Sequence, residues 1–232
     1  MKNDKTSGGD PRAERELRRR EEIRHAILHA AEKIIMAKSY TGMTMDDVAL
    51  EAGLSKATLY KYIPNKGRVL FEIVSHHLDV EGAKITEIAD SHAPAPEKLR
   101  AIVAEIVGFQ RAKSNIARIL MMDRSTFRFL RLIYGGNVKT ANEQFRRKFN
   151  ILKQKSLEIS RIIARTIDEG VAAGEFRLVN PMETVFLIDA LLVGVNHPRL
   201  WESGMVEAPA DRLAEKIFDF IYSSLRKRKD ES

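Results

Sequence analysis

Between Thr44 and Lys66 the chain reads TMDDVALEAGLSKATLYKYIPNK, and this stretch leaves its backbone few options. Thr44 is placed to cap a helix, its hydroxyl accepting from an N–H near Asp47, while Asp46 and Asp47 suit the positive end of the helix dipole. Val48, Ala49 and Ala52 give that helix a small apolar face. Gly53 permits the left-handed conformation that ends it, and Leu54 then returns toward the core. Ser55 caps a second helix. Ile63 stands before Pro64 and is pushed away from helical angles, so this helix is predicted to stop near Tyr62. Asn65 caps a third, longer helix predicted to run from Lys66 to about Ala89. Two short helices about a glycine turn make a helix-turn-helix.

Helical spacing continues along the chain. Ile23, Ile27, Ala30 and Ile34 share one face, as do Leu99, Ile102, Val103 and Ile106, and later Ile159, Ile162, Ile163 and Ile167. Alternation of the strand type is absent over any useful length, so the fold class is all-α. DSHAPAPEK, from Asp90, has the composition of a loop, with Pro96 suited to the first turn of a new helix. Gly135-Gly136 marks a further break. Helices are predicted to start at Asn180-Pro181 and after Pro209.

At 232 residues, 44% of them hydrophobic and 31% charged, the chain has the composition of an ordinary globular protein. Its formal charge of +7 points to an anionic partner. With no cysteine there is no thiolate metal site or cysteine nucleophile, which is compatible with a reducing compartment. No apolar run approaches the ~18–20 residues of a membrane span, and the first twenty residues lack the apolar centre of a secretion signal. The expected setting is cytoplasmic, with no membrane partner.

Within the second helix, Leu59 and Ile63 point inward together. Lys56, Ala57, Thr58, Tyr60, Lys61 and Tyr62 then face outward or sideways, a set suited to phosphates and base edges. A structural helical corner with a solvated lysine face is the competing reading. TMDDVALEAGLSKATLYKYIPNKGRVL is similar to the DNA-binding signature of the TetR/AcrR family of bacterial transcriptional regulators. In that pattern a capped helix leads through Ala-Gly-(apolar)-Ser-Lys to Leu-Tyr, an aromatic, a helix-ending residue and Lys. The resemblance covers about residues 20–75; Ile63 stands where the family usually carries phenylalanine, which keeps an apolar anchor. EGVAAGEFRLVNP, from Glu169 to Pro181, resembles the family's link into its last two helices.

The resemblance implies an N-terminal three-helix DNA-binding domain and a C-terminal helical domain for ligand sensing and dimerisation. Divided accordingly, the chain has a disordered basic arm at 1–15, the helix-turn-helix domain at 16–65, the regulatory domain at 66–227 and a disordered tail at 228–232. Carried over by position, Ser55 to Tyr62 is the recognition helix, with Lys56, Ala57 and Thr58 nearest the bases. Thr44, Tyr60, Tyr62 and Lys66 hold phosphates. Lys66 also opens a helix, where N–H groups and the dipole favour an anion. The implied function is a repressor that binds a palindromic double-stranded DNA operator as a homodimer and leaves it when a small apolar effector binds. The alternative is a helix-turn-helix protein without a ligand, or one controlled by a protein partner.

The arginines Arg12, Arg15, Arg18, Arg19, Arg20 and Arg24 either follow phosphates or a minor groove, or form a solvated basic helix end. For the dimer interface the apolar stripes of the last two helices supply Val185, Ile188, Leu192, Leu213, Ile217, Phe220 and Ile221. The effector pocket draws on Phe109, Met121, Met122, Phe127, Tyr134, Phe145, Phe149 and Phe186, although such residues at helical spacing also build plain cores. His25 and His29 share a helix face, but without a carboxylate at fitting spacing no metal site is expected. No cofactor is implied. The chain shows no P-loop, nucleophile elbow or dinucleotide fingerprint, so it is not expected to be an enzyme.

Overall fold

The computed structural model describes residues 10–112, 143–195 and 209–227. Every regular element among them is a helix: α1 Pro11–Gly42, α2 Met45–Glu51, α3 Lys56–Tyr62, α4 Lys66–Ala89, α5 Ala95–Ala112, α6 Glu143–Ala172, α7 Pro181–Val195 and α8 Ala210–Leu225. The sole β-type pairing among these residues is an isolated bridge between Phe176 and Arg226. None of the described helices is long and apolar enough to cross a membrane. The break expected at Gly135-Gly136 lies outside the described residues.

The chain divides into two compact units, Met1–Ile73 and Val74–Ser232, so residues 66–73 of α4, expected in the domain at 66–227, fall in the first unit. In the first unit, α1 carries Ile27, Ala30, Ala31, Ile34 and Ile35 into a core completed by Met43, Val48, Ala49, Leu59, Ile63, Val69, Leu70, Phe71 and Ile73. Arg24 and Arg68 both bind the carboxylate of Glu72, tying α1 to α4. Helix α1 starts at Pro11, so residues 11–15, expected in a disordered arm, are helical.

In the second unit, α5 packs mainly on α8 and α6, and α6 packs also on α7. Its core joins Ile85, Leu99, Ile102, Val103, Ile163, Ile167, Phe176, Val185, Ile188, Leu192, Leu213, Ile217, Phe218, Ile221 and Leu225. Helix α6 is closed by Gly174 at φ 74°, and the N–H groups of Glu175 and Phe176 both bond the Gly170 carbonyl. Phe176 thereby turns back over Gly170. The Glu175 carboxylate accepts from Ala95 N–H at 3.0 Å and so caps α5 from the α6–α7 link. Buried Lys98 meets Glu169 at 3.0 Å, which satisfies an ammonium that would otherwise be costly to bury.

Six of the seven residues expected at a dimer seam lie in this core. Val185, Ile188, Leu192, Leu213, Ile217 and Ile221 are buried within the single chain, where α7 and α8 cover α5 and α6. Phe220 alone of the set is exposed. Helix α7 is apolar on its other side too, with Met182 42%, Phe186 71% and Leu187 66% exposed. Periodicity cannot rank the two faces of such a helix.

Candidate nucleic-acid interface

Local hydrogen bonding in the first unit follows the residue types closely. Thr44 Oγ1 accepts from Asp47 N–H at 3.1 Å, and Thr44 N–H donates back to the Asp47 carboxylate at 3.2 Å, a reciprocal cap on α2. The Thr44 hydroxyl donates to the same carboxylate at 2.8 Å. Its proton is therefore committed inside the domain, and a phosphate would have to displace Asp47 to receive it. Lys38 lies 2.9 Å from Asp47, and with Thr44 it holds that carboxyl below its usual range.

Gly53 takes φ 66°, and Leu54 N–H closes back on the Ala49 carbonyl at 2.9 Å, completing the turn. Ser55 then caps α3 by accepting from Thr58 N–H at 3.1 Å, and its hydroxyl also shares a hydrogen bond with Thr58 Oγ1 at 2.8 Å. Ile63, at φ −132° and ψ 107°, ends the helix ahead of Pro64. Asn65 Oδ1 accepts from Arg68 N–H at 2.8 Å and caps α4.

Leu59 and Ile63 are fully buried and set the rotation of α3. Full burial of such a side chain contributes roughly 1.5–3 kcal/mol, which makes rolling the helix expensive. At 3.6 residues per turn, Lys61 points most directly away from these two anchors, with Ala57 and Thr58 beside it. Tyr60 and Tyr62 flank that face about 200° apart. Lys56, Ala57, Tyr60 and Lys61 are exposed, while Thr58 and Tyr62 are half-buried. A seven-residue helix is about 10 Å long and fits the ~12 Å width of a DNA major groove.

Two contacts have no signal in the sequence. Lys56 is paired with Asp46 at 2.6 Å, and that hydrogen bond, followed by the attraction of the charge, raises the lysine above its usual pKa. Lys66 donates to the Thr41 carbonyl at 3.0 Å and lies 4.5 Å from the centre of the Tyr40 ring. The latter ammonium is thus oriented by the end of α1 at the start of α4. Asp46 and Asp47 read locally as partners of the helix dipole; nothing near them in the sequence signals a bond ten residues away.

Of the expected pocket residues, Phe109 is half-buried on α5, edge-on to the His77 ring at 5.5 Å. Phe186 is exposed on α7 and lines no interior among the described residues, because Val185 and Ile188 take the inward positions. Met121, Met122, Phe127 and Tyr134 lie outside the described residues. Phe145 and Phe149 fall on α6, their side chains outside what is described.

Residues 27–73 match the family model described as "Bacterial regulatory proteins, tetR family". Over 102 residues, 44% of this chain and 50% of the other, the chain is 26% identical to the nucleoid occlusion factor SlmA of Vibrio vulnificus (strain YJ016). The chain thus spans about half the length of the first curated relatives it matches. Among solved structures, the TetR-family transcriptional regulator PfmR from Thermus thermophilus superposes with a TM-score of 0.63 at 22% identity, covering 87% of this chain and 99% of that one. The transcriptional regulator FadR from Bacillus subtilis, solved in complex with stearoyl-CoA, superposes with a TM-score of 0.61 at 19% identity, covering 86% and 98%. These likenesses are of fold.

Proposed function

Because the chain belongs to the tetR family of bacterial regulatory proteins, we propose that it is a repressor that grips a roughly palindromic operator as a homodimer. A small effector with an apolar portion releases it. The observation that carries the DNA-reading half is the presentation of α3, whose rotation is fixed by Leu59 and Ile63 so that Ala57, Thr58 and Lys61 face out between two tyrosines. Lys56 to Thr58, in the first turn, read base edges; Tyr60, Tyr62 and Lys66 contribute phosphate contacts. Two copies related by a two-fold axis meet half-sites about one helical turn, ~34–36 Å, apart. No step of this function is enzymatic.

The likeness to a regulator solved with stearoyl-CoA supports a fatty acyl thioester as the effector class. In this reading α4, which begins at Lys66 and ends at Ala89, transmits the effector's presence. The effector binds the DNA-incompetent arrangement more tightly, and operator must weaken effector binding by the same factor. The test is selection of duplexes from a random pool, followed by titration of the selected complex with acyl-CoA esters of graded chain length. Enrichment of a palindrome and its release by a long-chain ester are the expected results. Absence of any enriched site overturns the DNA reading; release by no ester overturns the effector class alone.

The similarity to a nucleoid occlusion factor favours one second reading, in which DNA binding is coupled to a protein partner instead of a small ligand. Acyl-CoA binding to the free protein, measured by calorimetry, separates the two.

A further inference from the structure

The proposed DNA-reading surface does not use the first third of α1. From Arg12 to Glu22 every residue of the helix is exposed, and the first fully buried position is Ile27. At 1.5 Å per residue the helix between Pro11 and Ile27 is about 24 Å long, most of it with no core beneath it. Packing does not account for that length.

Arg20 pairs with Glu16 at 3.3 Å, and Arg24 binds Glu72. Arg12, Arg15 and Arg19 follow one another by three and four residues, which puts them on one face within about 60° of arc. The centre of that face lies roughly 80° around the helix from the Ile27–Ile34 face that enters the core. Glu22 borders it about 20° beyond Arg15, with Arg18 further round, and Glu16, paired with Arg20, lies about 40° beyond Arg12 on the other edge. Glu14 and Glu21 fall on the far side. Arg12 to Arg19 spans about 10 Å, over which duplex DNA presents about six phosphate charges at one per ~1.7 Å of axis.

We infer that this arginine stripe is a second DNA-contact element, one that binds the phosphate backbone flanking the half-site read by α3. The inference rests on the proposed DNA binding of the same unit. A duplex fits the stripe better than an anionic membrane does, because an interfacial helix needs a broad apolar face and this segment offers Leu17 as its single large apolar residue. Guanidinium groups in a row suit a line of phosphates, since each can donate two parallel hydrogen bonds to one anion. The stripe carries no base-reading chemistry, so it adds affinity and register without sequence information.

The experiment compares the wild type, the triple variant Arg12→Gln/Arg15→Gln/Arg19→Gln and the matching triple lysine variant. The probes are one pool-selected duplex with ten-base-pair flanks and the same duplex trimmed to its half-sites. The glutamine variant is expected to flatten the salt dependence on the flanked duplex by about two to three log units per log unit of salt per protomer. It should also shorten the protected footprint and leave the ranking of half-site variants unchanged. On the trimmed duplex it should bind like the wild type, and the lysine variant should retain most of the slope on both probes. An unchanged slope and footprint in the glutamine variant, with an unchanged melting temperature, would overturn the inference while leaving α3 as the reader. So would capture of phosphatidylglycerol vesicles by the wild type with no effect of the flanks on DNA affinity. A wild type that binds no duplex would overturn the DNA reading and this inference together.

Discussion

Lys56 extends its ammonium to 2.6 Å from the Asp46 carboxylate, tying the first turn of α3 to the first turn of α2. The pair is exposed, and it places an acid beside a lysine expected to read base edges. Bringing DNA to this surface means either breaking the pair or holding the carboxylate against phosphates. Asp46→Asn should therefore tighten binding to all duplexes, by about three- to tenfold at low salt, with the gain shrinking as salt rises. Fluorescence anisotropy across a salt series checks this; weaker binding would mean that Asp46 positions Lys56 for the groove.

Tyr60 and Tyr62 stand on opposite flanks of the outward face and cannot reach the same phosphate. Tyr60→Phe and Tyr62→Phe keep the rings and remove only the hydroxyl donors. Each should weaken all sites alike by roughly 0.5–1.5 kcal/mol, and up to ~3 where the bond to a charged phosphate is well formed. Tyr60, 47% exposed, should show the effect more clearly than half-buried Tyr62. Normal binding by both variants, measured on a panel of operator sequences, would assign the rings to packing alone.

For the proposed homodimer, the exposed apolar residues of α7 and α8 are the ones to change. Phe186→Glu with Phe220→Glu should give folded monomers that bind DNA poorly, seen by sedimentation alongside an unshifted melting curve. Leu213→Glu should instead unfold the second unit, since it buries a charge without a partner at a cost of several kcal/mol. A dimer that survives the phenylalanine changes would place the seam elsewhere.

Gly170 tests the packing of the α6–α7 link. A Cβ there would lie 2.3 Å from the Phe176 ring and 2.9 Å from the Ala95 Cβ. Phe176 is 1% exposed and held by its bridge to Arg226, so the ring has little room to yield. Gly170→Ala should destabilise by about 1–3 kcal/mol, the clash outweighing the gain in helix propensity. Gly108 on α5 has nothing within 4 Å of such a Cβ, and Gly108→Ala should be stabilising by up to ~1 kcal/mol. Denaturant melts of the two variants should move in opposite directions.

Burial raises the Glu81 carboxyl from 4.5 to about 7, helped by the nearby charges of Asp189 and Glu105 and opposed by His77. Glu105 is itself paired with Lys84 at 2.7 Å. Between pH 4.5 and 7 the folded state holds a proton that the unfolded chain releases, so stability falls as pH rises through that window and stays reduced above it. Glu81→Gln should remove this loss, stabilising by on the order of 1–2 kcal/mol at pH 8, a figure reduced for partial exposure to water, and by little at pH 4.5. Thermal melts at the two pH values decide it; an equal effect at both would deny the shift.

Most of the first unit was legible in the residues because its signals are local. Thr44, Gly53, Ser55, Pro64 and Asn65 act on backbone groups within five positions of themselves, and each does in the structure what its chemistry requires. Leu59 and Ile63 were equally readable as the inward pair, since four residues bring them to one face of any helix. The pairing of Asp46 with Lys56 and the seat of Lys66 on Thr41 were not, because they depend on how α1, α2, α3 and α4 cross. The start of α1 shows the same limit from the other side: Pro11 and a run of arginines allowed a disordered arm, and the structure continues the helix through them.

By itself, then, the sequence determined the helices, their caps and the choice of which α3 side chains face out, because helical periodicity and capping are short-range. Only the tertiary structure decided which apolar face of α7 is core and which is left open. Val185 and Phe186 are both strongly apolar neighbours, and the hydrophobic effect scales with the area buried, whichever side provides it. The side facing α6 was covered, and Phe186 and Leu187 were left exposed.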